Sequence, residues 1–381
     1  MFQFTEDQLA IREIIRDFAE NEIKPKADEL DKTGSYPLET VNALADMGVM
    51  GLNIKGEYGG PEMDEICKVI AVSEVARCCA STAEILAVHL MVNDVIQSNA
   101  NEEQKKKYLP MAAEGKLGAF ALTEPNAGSD ASGVKTKAVK DEDSYIINGT
   151  KCFISNLGPE EGNHIIVLAM TDPDKGTRGG MTAFLVDRDT PGLSVGKTED
   201  KMGIRAAAVS ELIMEDCRVP ESAILGKLGD GFKIAMSGLD GGRIGIAAQA
   251  VGVAQGAMEE GVRYAKERVQ FGKPISANQG LQWYIADMAT RVEAARLLTL
   301  RAACKRNNGK PVSRYASMAK YYAAETACYV CDLALQLHGG YGYMKDYPIE
   351  RMYRDARIIR LYEGTSEIQK IIIAKDILKE F

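Results

Sequence analysis

Tyr145-Ile-Ile-Asn-Gly-Thr-Lys-Cys-Phe-Ile154 decides how this chain is divided. β-Branched and aromatic residues flank Asn148-Gly149, a pair favoured in tight hairpin turns, so the stretch predicts two strands joined there. Further strands are expected at His164–Met170, Met181–Asp187 and Glu211–Val219, with Gly, Pro, Asn and Asp between them. The region from about 119 to 228 therefore reads as a compact domain of antiparallel strands. Helical periodicity lies on both sides. Before it, Phe4, Leu9, Ile11, Ile14, Ile15 and Phe18 share one helical face, Val69 to Ile96 repeats the pattern, and Asn101 with two acids behind it opens another helix. After it come three apolar stripes: Ile244, Ala247, Ala248, Val251, Ala254 and Met258; then Met288, Ala294, Ala295 and Leu298; then Ala323 to Leu337. Long helices with short polar turns predict a bundle. The fold class is α+β, with helical residues 1–118, a β domain at 119–228 and a helical bundle at 229–381.

The 381 residues are 46% hydrophobic and 26% charged, which excludes low-complexity disorder and a small disulfide scaffold. A net charge of −8 excludes a strongly basic nucleic-acid footprint. The start, Met1-Phe-Gln-Phe-Thr-Glu-Asp, lacks the basic and apolar regions of a signal peptide. No apolar run is long enough to span a membrane, and Ile244 to Met258 is broken by Gln249 and Gln255. The eight cysteines are scattered, and Cys328-x-x-Cys331 has no second pair, so they read as reduced thiols. A cytoplasmic protein with no metal and no membrane association is expected.

The common nucleotide loops and zinc motifs are absent. Gly192-Leu-Ser-Val-Gly196 matches a nucleophile elbow in letters, but no helix follows it. Three other segments carry chemistry. Ala121-Leu-Thr-Glu-Pro-Asn-Ala-Gly-Ser-Asp130 offers short polar side chains and backbone N–H groups, or is simply a Pro/Gly turn. Asp240-Gly-Gly-Arg243 places an arginine where a phosphate or carboxylate can pair, or is a helix start with a surface salt bridge. In Tyr362-Glu-Gly-Thr-Ser-Glu-Ile-Gln369, Ser366 with Gln369 fits a capping box, leaving Glu363 in the loop before a helix. Glu363 is then a general base, or an acid favoured by the helix dipole.

Together these segments resemble the acyl-CoA dehydrogenase family over essentially the whole chain. The resemblance rests on Leu122-Thr-Glu-Pro-Asn-Ala-Gly-Ser-Asp130, Lys201-Met-Gly-Ile-Arg205, Leu239-Asp-Gly-Gly-Arg243, Glu267-Arg-Val-Gln-Phe-Gly-Lys273, Gln336-Leu-His-Gly-Gly-Tyr-Gly-Tyr343 and Tyr362-Glu-Gly-Thr365. It implies an N-terminal all-α domain, a middle antiparallel β-barrel and a C-terminal four-helix bundle. It implies FAD, lined by Phe120, Leu122, Thr123, Ser129, Phe153, Ser155, Thr365 and Glu367; relatives often carry Trp and Thr at 153 and 155. It implies a homotetramer in which Arg268, Gln270, Phe271 and Gln279 reach a neighbour's cofactor, with Gln336, Gly339 and Gly340 over its other end. Glu363 becomes the base that removes the α-proton of an acyl-CoA while flavin takes hydride from the β-carbon. Ser129, Asp240, Arg243, Tyr362 and Gly364 flank the substrate, and an electron-transfer flavoprotein takes the electrons.

The wording is most similar to short-chain, butyryl-CoA-type members. Ala83 to Ile96 should wall the acyl pocket, and Glu84, His89, Asn93 and Asp94 make it polar. Either those side chains turn into helix contacts or one serves a cyclic, aryl or branched acyl group. The same scaffold also suits an enoyl-CoA reductase, and a non-catalytic CoA-ester-binding scaffold would require loss of the base.

Overall fold

The computed structural model describes residues 3–158 and 162–380. Helix α1 (Glu6–Phe18) opens on a capping box: the Thr5 hydroxyl accepts from Gln8 N at 3.2 Å and Gln8 returns a bond to Thr5 N at 3.1 Å. It leads through tight turns to α2 (Ala27–Thr33), α3 (Leu38–Asp46), α4 (Glu65–Cys78), α5 (Ala80–Asn99) and α6 (Glu102–Ala113). Asn101 caps α6 as expected, in a second capping box with Gln104. The strands β1 (Leu117–Ala121), β2 (Lys137–Asp141), β3 (Ser144–Ser155) and β4 (Gly162–Met170) follow. A single turn, α7 (Thr177–Gly180), precedes β5 (Met181–Asp187), β6 (Leu193–Thr198), β7 (Val209–Pro220) and β8 (Ile224–Leu225). The last region holds α8 (Gly231–Glu267), a small ribbon of β9 (Val269–Gln270) and β10 (Lys273–Pro274), α9 (Gln279–Asn307), α10 (Ser313–His338), α11 (Ile349–Ile358) and α12 (Ser366–Ile377).

The sheet runs β6-β7-β3-β2-β4-β5-β8, and β1 joins β4. Most pairings are antiparallel; β1 and β4 run parallel. The sheet curls around its own core of Tyr145, Ile147, Ile154, Ile165, Phe184, Leu212 and Met214.

Three local expectations are corrected. Asn148-Gly149 is not a hairpin turn but a bulge inside β3. The Asn148 amide exchanges two bonds with Asp216 on β7, whose φ of 49° puts it in the left-handed region. At Gly149 a Cβ would stand 2.6 Å from Thr136 Oγ1, so glycine is retained for close approach rather than for a turn. The reversal lies instead between paired Asp141 and Ser144, with Glu142 at φ 53°. Second, α8 starts at Gly231, so Asp240 and Arg243 lie well inside the helix. Third, α12 is capped by Thr365, one residue early; the Ser366 hydroxyl donates to Glu325 at 2.7 Å.

Helix α8 is the axis of the molecule. It packs against α4, α5, α9 and α10, and its Ala and Gly positions let backbones approach. A Cβ at Gly252 would fall on the Ser73 carbonyl oxygen of α4, a backbone atom that cannot rotate away. Gly252→Ala is therefore expected to force α4 from α8 and lower stability by about 1–3 kcal/mol, read by urea denaturation. Lys201-Met-Gly-Ile-Arg205 is a joint between regions. Ile204 N donates to Asp355 of α11 at 2.5 Å, Arg354 reaches the Met202 carbonyl at 2.9 Å, and Arg205 reaches that of Asp31 at 2.8 Å.

Candidate active site

The loop between α11 and α12 presents Glu363. Glu363 at φ 53° and Gly364 at φ 89° are consecutive left-handed residues, and they turn the chain sharply. The loop is clamped from three helices. Gln369 of α12 donates to the carbonyls of Glu363 at 3.1 Å and Gly364 at 2.8 Å. Lys320 of α10 donates to Gly364 O at 2.6 Å. The Tyr362 hydroxyl donates to Gln249 of α8, whose amide is tied to Ala80 O at 2.9 Å. Burial brings the Lys320 pKa down to about 8, against the pull of the Glu363 charge.

One Glu363 carboxylate oxygen, Oε2, is shielded from solvent and has no hydrogen-bond partner among the described residues. It faces Gly242 of α8, where a Cβ would stand 2.8 Å from it and 2.7 Å from Met91 Sδ. Burial raises the Glu363 pKa, and the Arg243 and Lys320 charges partly restrain it. Arg243 is 5% exposed, pairs with Asp240 at 2.5 Å, and leaves its Nε unpartnered. This is no surface salt bridge. A shielded carboxylate with a raised pKa and a free oxygen has the properties of a general base.

Helix α5 packs against α8 beside Glu363. Glu84, Ala87 and Met91 fall on one face, at i, i+3 and i+7. Ala87 Cβ is 3.5 Å from where a Gly245 Cβ would lie. Glu65, Lys68, Val69, Val72, Ala87, Leu90, Met91, Gly241 and Gly245 line a small cavity between α4, α5 and α8. His89, Asn93 and Asp94 have other partners. His89 accepts from Gly118 N at 3.2 Å and bonds Ala112 O at 3.1 Å, and burial lowers its pKa to about 4. Asn93 donates to Met50 O at 3.1 Å. Asp94 pairs with Lys68 and Arg306 and accepts from Asn53 at 2.6 Å. Glu84 differs: it is fully buried and accepts from Ser155 of β3.

Other residues expected at the site lie on β1 and in the loop after it. Glu124 organises their loop by accepting from Lys135 N at 2.7 Å, Thr136 N at 2.9 Å, Thr136 Oγ1 at 2.6 Å and the buried Lys151 Nζ at 2.8 Å. Lys151 also donates to Leu122 O at 3.1 Å. Phe120 is half-buried, 3.9 Å from where a Gly238 Cβ would lie. Phe153 is left-handed, φ 59°, and 65% exposed. Thr123 is half-buried, and Ser129 and Glu367 are exposed. The Thr365 hydroxyl is taken up by the α12 cap.

A second group is remote. Arg268 follows Arg243 by 25 residues along α8, roughly 37 Å at a helical rise of about 1.5 Å per residue. Its guanidinium lies 5.4 Å over Tyr341, beside Gly339 and Gly340. Gln270, Gln279 and Gln336 are exposed, and Phe271 is 98% exposed. One chain does not bring this group to Glu363. Sequence reading missed Lys320, Gln369, Gln249, Glu124 and Lys151 as organisers of the site; Gln249, a polar break in an apolar stripe, and Gln369, read as a capping partner, left local marks.

Family models for the acyl-CoA dehydrogenase N-terminal, middle and C-terminal domains match residues 5–116, 119–217 and 229–378. The chain is 51% identical to an acryloyl-CoA reductase (NADH) of Anaerotignum propionicum, covering 99% of this chain and 96% of that protein. It superposes with TM-score 0.97 on butyryl-CoA dehydrogenase of Megasphaera elsdenii at 43% identity, covering 99% of this chain and 100% of that one. It superposes equally well, TM-score 0.97 at 45% identity and full coverage of both chains, on a structure described for the electron-transferring flavoprotein of Acidaminococcus fermentans. With three matching domain models, a shared three-part architecture and an acid loop in place, the chain belongs to the acyl-CoA dehydrogenase family, flavoprotein oxidoreductases of CH–CH bonds.

Proposed function

We propose that this protein dehydrogenates a short, butyryl-like acyl-CoA thioester to the 2-enoyl-CoA, with Glu363 as the base, FAD as its cofactor and an electron-transfer flavoprotein as electron acceptor. The observation that carries the reading is the shielded, unpartnered Glu363 oxygen facing Gly242. A thioester acidifies its α-carbon, and a base held in a dry cleft is stronger than one in water. Lys320 and Gln369 hold the loop carbonyls and so fix the aim of the carboxylate. Arg243, with its free Nε, suits the polar part of the substrate, and Ala87 and Met91 of α5 place apolar side chains against α8 beside the base. Ser129, Asp240, Tyr362 and Gly364 complete the substrate side.

Phe120, Leu122, Thr123, Ser129, Phe153, Ser155, Thr365 and Glu367 would hold the flavin end of FAD. Arg268, Gln270, Phe271, Gln279, Gln336, Gly339 and Gly340 would hold the nucleotide of a neighbouring copy in a homotetramer. The residues fit such a group: a Cβ at Gly339 or Gly340 would meet nothing within 4 Å, and Phe271 has no cover from its own chain. Bound FAD would supply the hydride acceptor for the β-carbon. No helix among the described residues is long and apolar enough to cross a membrane, and we take the site of action to be the cytoplasm.

Glu363 must be ionised to act, and its pKa is raised from 4.5. The rate of flavin bleaching by butyryl-CoA is therefore expected to rise with pH through one ionisation above 4.5 and then level off. Stopped-flow mixing across pH 5 to 9 reads it, and a rate that falls with pH from the acid end contradicts the assignment. The relative named acryloyl-CoA reductase favours one second reading, the reverse reaction on an enoyl thioester, including cyclic, aryl or branched ones. Comparing bleaching by butyryl-CoA with reoxidation of the reduced protein by crotonyl-CoA separates the two directions.

A further inference from the structure

We propose that Glu84 is a specificity-determining residue of the acyl pocket, selecting an acyl-CoA that carries a hydroxyl group beyond its β-carbon. The inference rests on the acyl-CoA reading above and extends it to the kind of acyl group.

Glu84 lies on the face of α5 that also carries Ala87 and Met91. Those two residues meet Gly245 and Gly242 of α8, and Met91 Sδ and Glu363 Oε2 both crowd Gly242. Glu84 is thus one turn before Ala87 and two turns before Met91. It is close enough to Glu363 for that charge to help raise its pKa. Its side chain is wholly buried. One oxygen accepts from the Ser155 hydroxyl; the other, Oε2, has no partner among the described residues. Of the other polar residues of this stretch, His89 and Asp94 are partnered within the fold, and Asn93 donates to Met50 O while its Oδ1 has no partner among the described residues.

A buried carboxyl group left half-paired is unfavourable in the free protein and is satisfied by a ligand group that reaches it. The identity of that group follows from the surrounding charge. Lys201 is near enough to act on Glu84, and Lys320 and Arg243 act on Glu363, so a substrate ammonium group would face these cations as well as the carboxylates. A substrate carboxylate would be repelled by two acids. Burial raises the Glu84 pKa to about 7, so its free oxygen either donates or accepts near neutrality. A hydroxyl group pairs with both forms.

The test uses FAD-loaded wild type, Glu84→Val and Glu84→Gln, each checked for retained flavin spectrum and thermal unfolding. Anaerobic bleaching is measured with butyryl-CoA and 4-hydroxybutyryl-CoA, and binding of each is followed by the shift in the flavin spectrum. The wild type is expected to favour the hydroxylated thioester by about 10-fold or more in kcat/KM, because a site built to pair a hydroxyl discriminates against its absence. Glu84→Val should reverse the preference, mainly through KM and spectral affinity, and Glu84→Gln should restore part of it. An unchanged ratio in Glu84→Val, with butyryl-CoA still active, overturns the proposal and leaves the dehydrogenase reading standing. If no acyl thioester bleaches the wild type, the dehydrogenase reading fails and this proposal fails with it.

Discussion

Glu363→Gln leaves the protein folded and yellow but stops butyryl-CoA from bleaching it. The substitution keeps the side chain's size and removes its ability to take a proton. The loop should survive, because its clamps use backbone carbonyls of Glu363 and Gly364, with Gln369 and Lys320 as donors, and not the Glu363 carboxylate. Its Oε2 has no partner to lose. Loss of a positioned base is expected to slow the step by about 10²- to 10⁴-fold. Stopped-flow bleaching measures the rate and the bound-flavin spectrum reports integrity. Residual bleaching within a few fold of wild type moves the base elsewhere. Asp240 is not a ready replacement, since its carboxylate is paired with Arg243.

Glu124→Ala carries the largest expected effect on stability. Among the described residues, Glu124 is the sole carboxylate paired with Lys151, whose side chain is fully buried. Even with that partner, burial holds the Lys151 pKa down to about 8. Removing Glu124 also frees Lys135 N and Thr136 N, so the loop from Leu122 to Asp130 loses its anchor. Breaking a buried pair from one side costs about 3–5 kcal/mol. The sign with pH follows from the lowered lysine pKa. Unfolded Lys151 keeps its proton to about 10.5 while the folded lysine releases it near 8 or below, so stability recovers as pH rises through that window. Urea denaturation of Glu124→Ala at pH 7 and pH 9.5 tests both statements, and Glu124→Ala/Lys151→Met should regain much of the loss. Equal stability of wild type and Glu124→Ala at pH 7 contradicts this role.

The sequence was most legible where spacing along the chain carries the information. The apolar stripe from Ile244 to Met258 lies in α8, and the runs at His164, Met181 and Glu211 became β4, β5 and β7. Glu363 was visible because its loop stands beside a helix start. Reading failed where a residue's partner is distant. Asn148-Gly149 carries a hairpin signature, but Asn148 is bound to Asp216, 68 residues away, and the turn formed elsewhere. Ser366 suits a cap, yet Glu325 takes its hydroxyl and Thr365 caps instead. Lys320 reaches Gly364 across 44 residues, Tyr362 reaches Gln249 across 113, and Ser155 reaches Glu84 across 71. None of these pairs has a local signature. Asp240-Gly-Gly-Arg243 suggested a helix start because two glycines usually interrupt helices. Here they admit Arg306 and the Glu363 carboxylate to the surface of α8.

The most direct measurement is an anaerobic titration of the purified, FAD-loaded protein with butyryl-CoA, followed in the visible spectrum with the thioester product identified. The expected result is a yellow protein bleached by the thioester with formation of crotonyl-CoA. A protein that cannot be loaded with FAD contradicts the reading. So does a loaded protein that no acyl-CoA bleaches and, once reduced, no enoyl-CoA reoxidises.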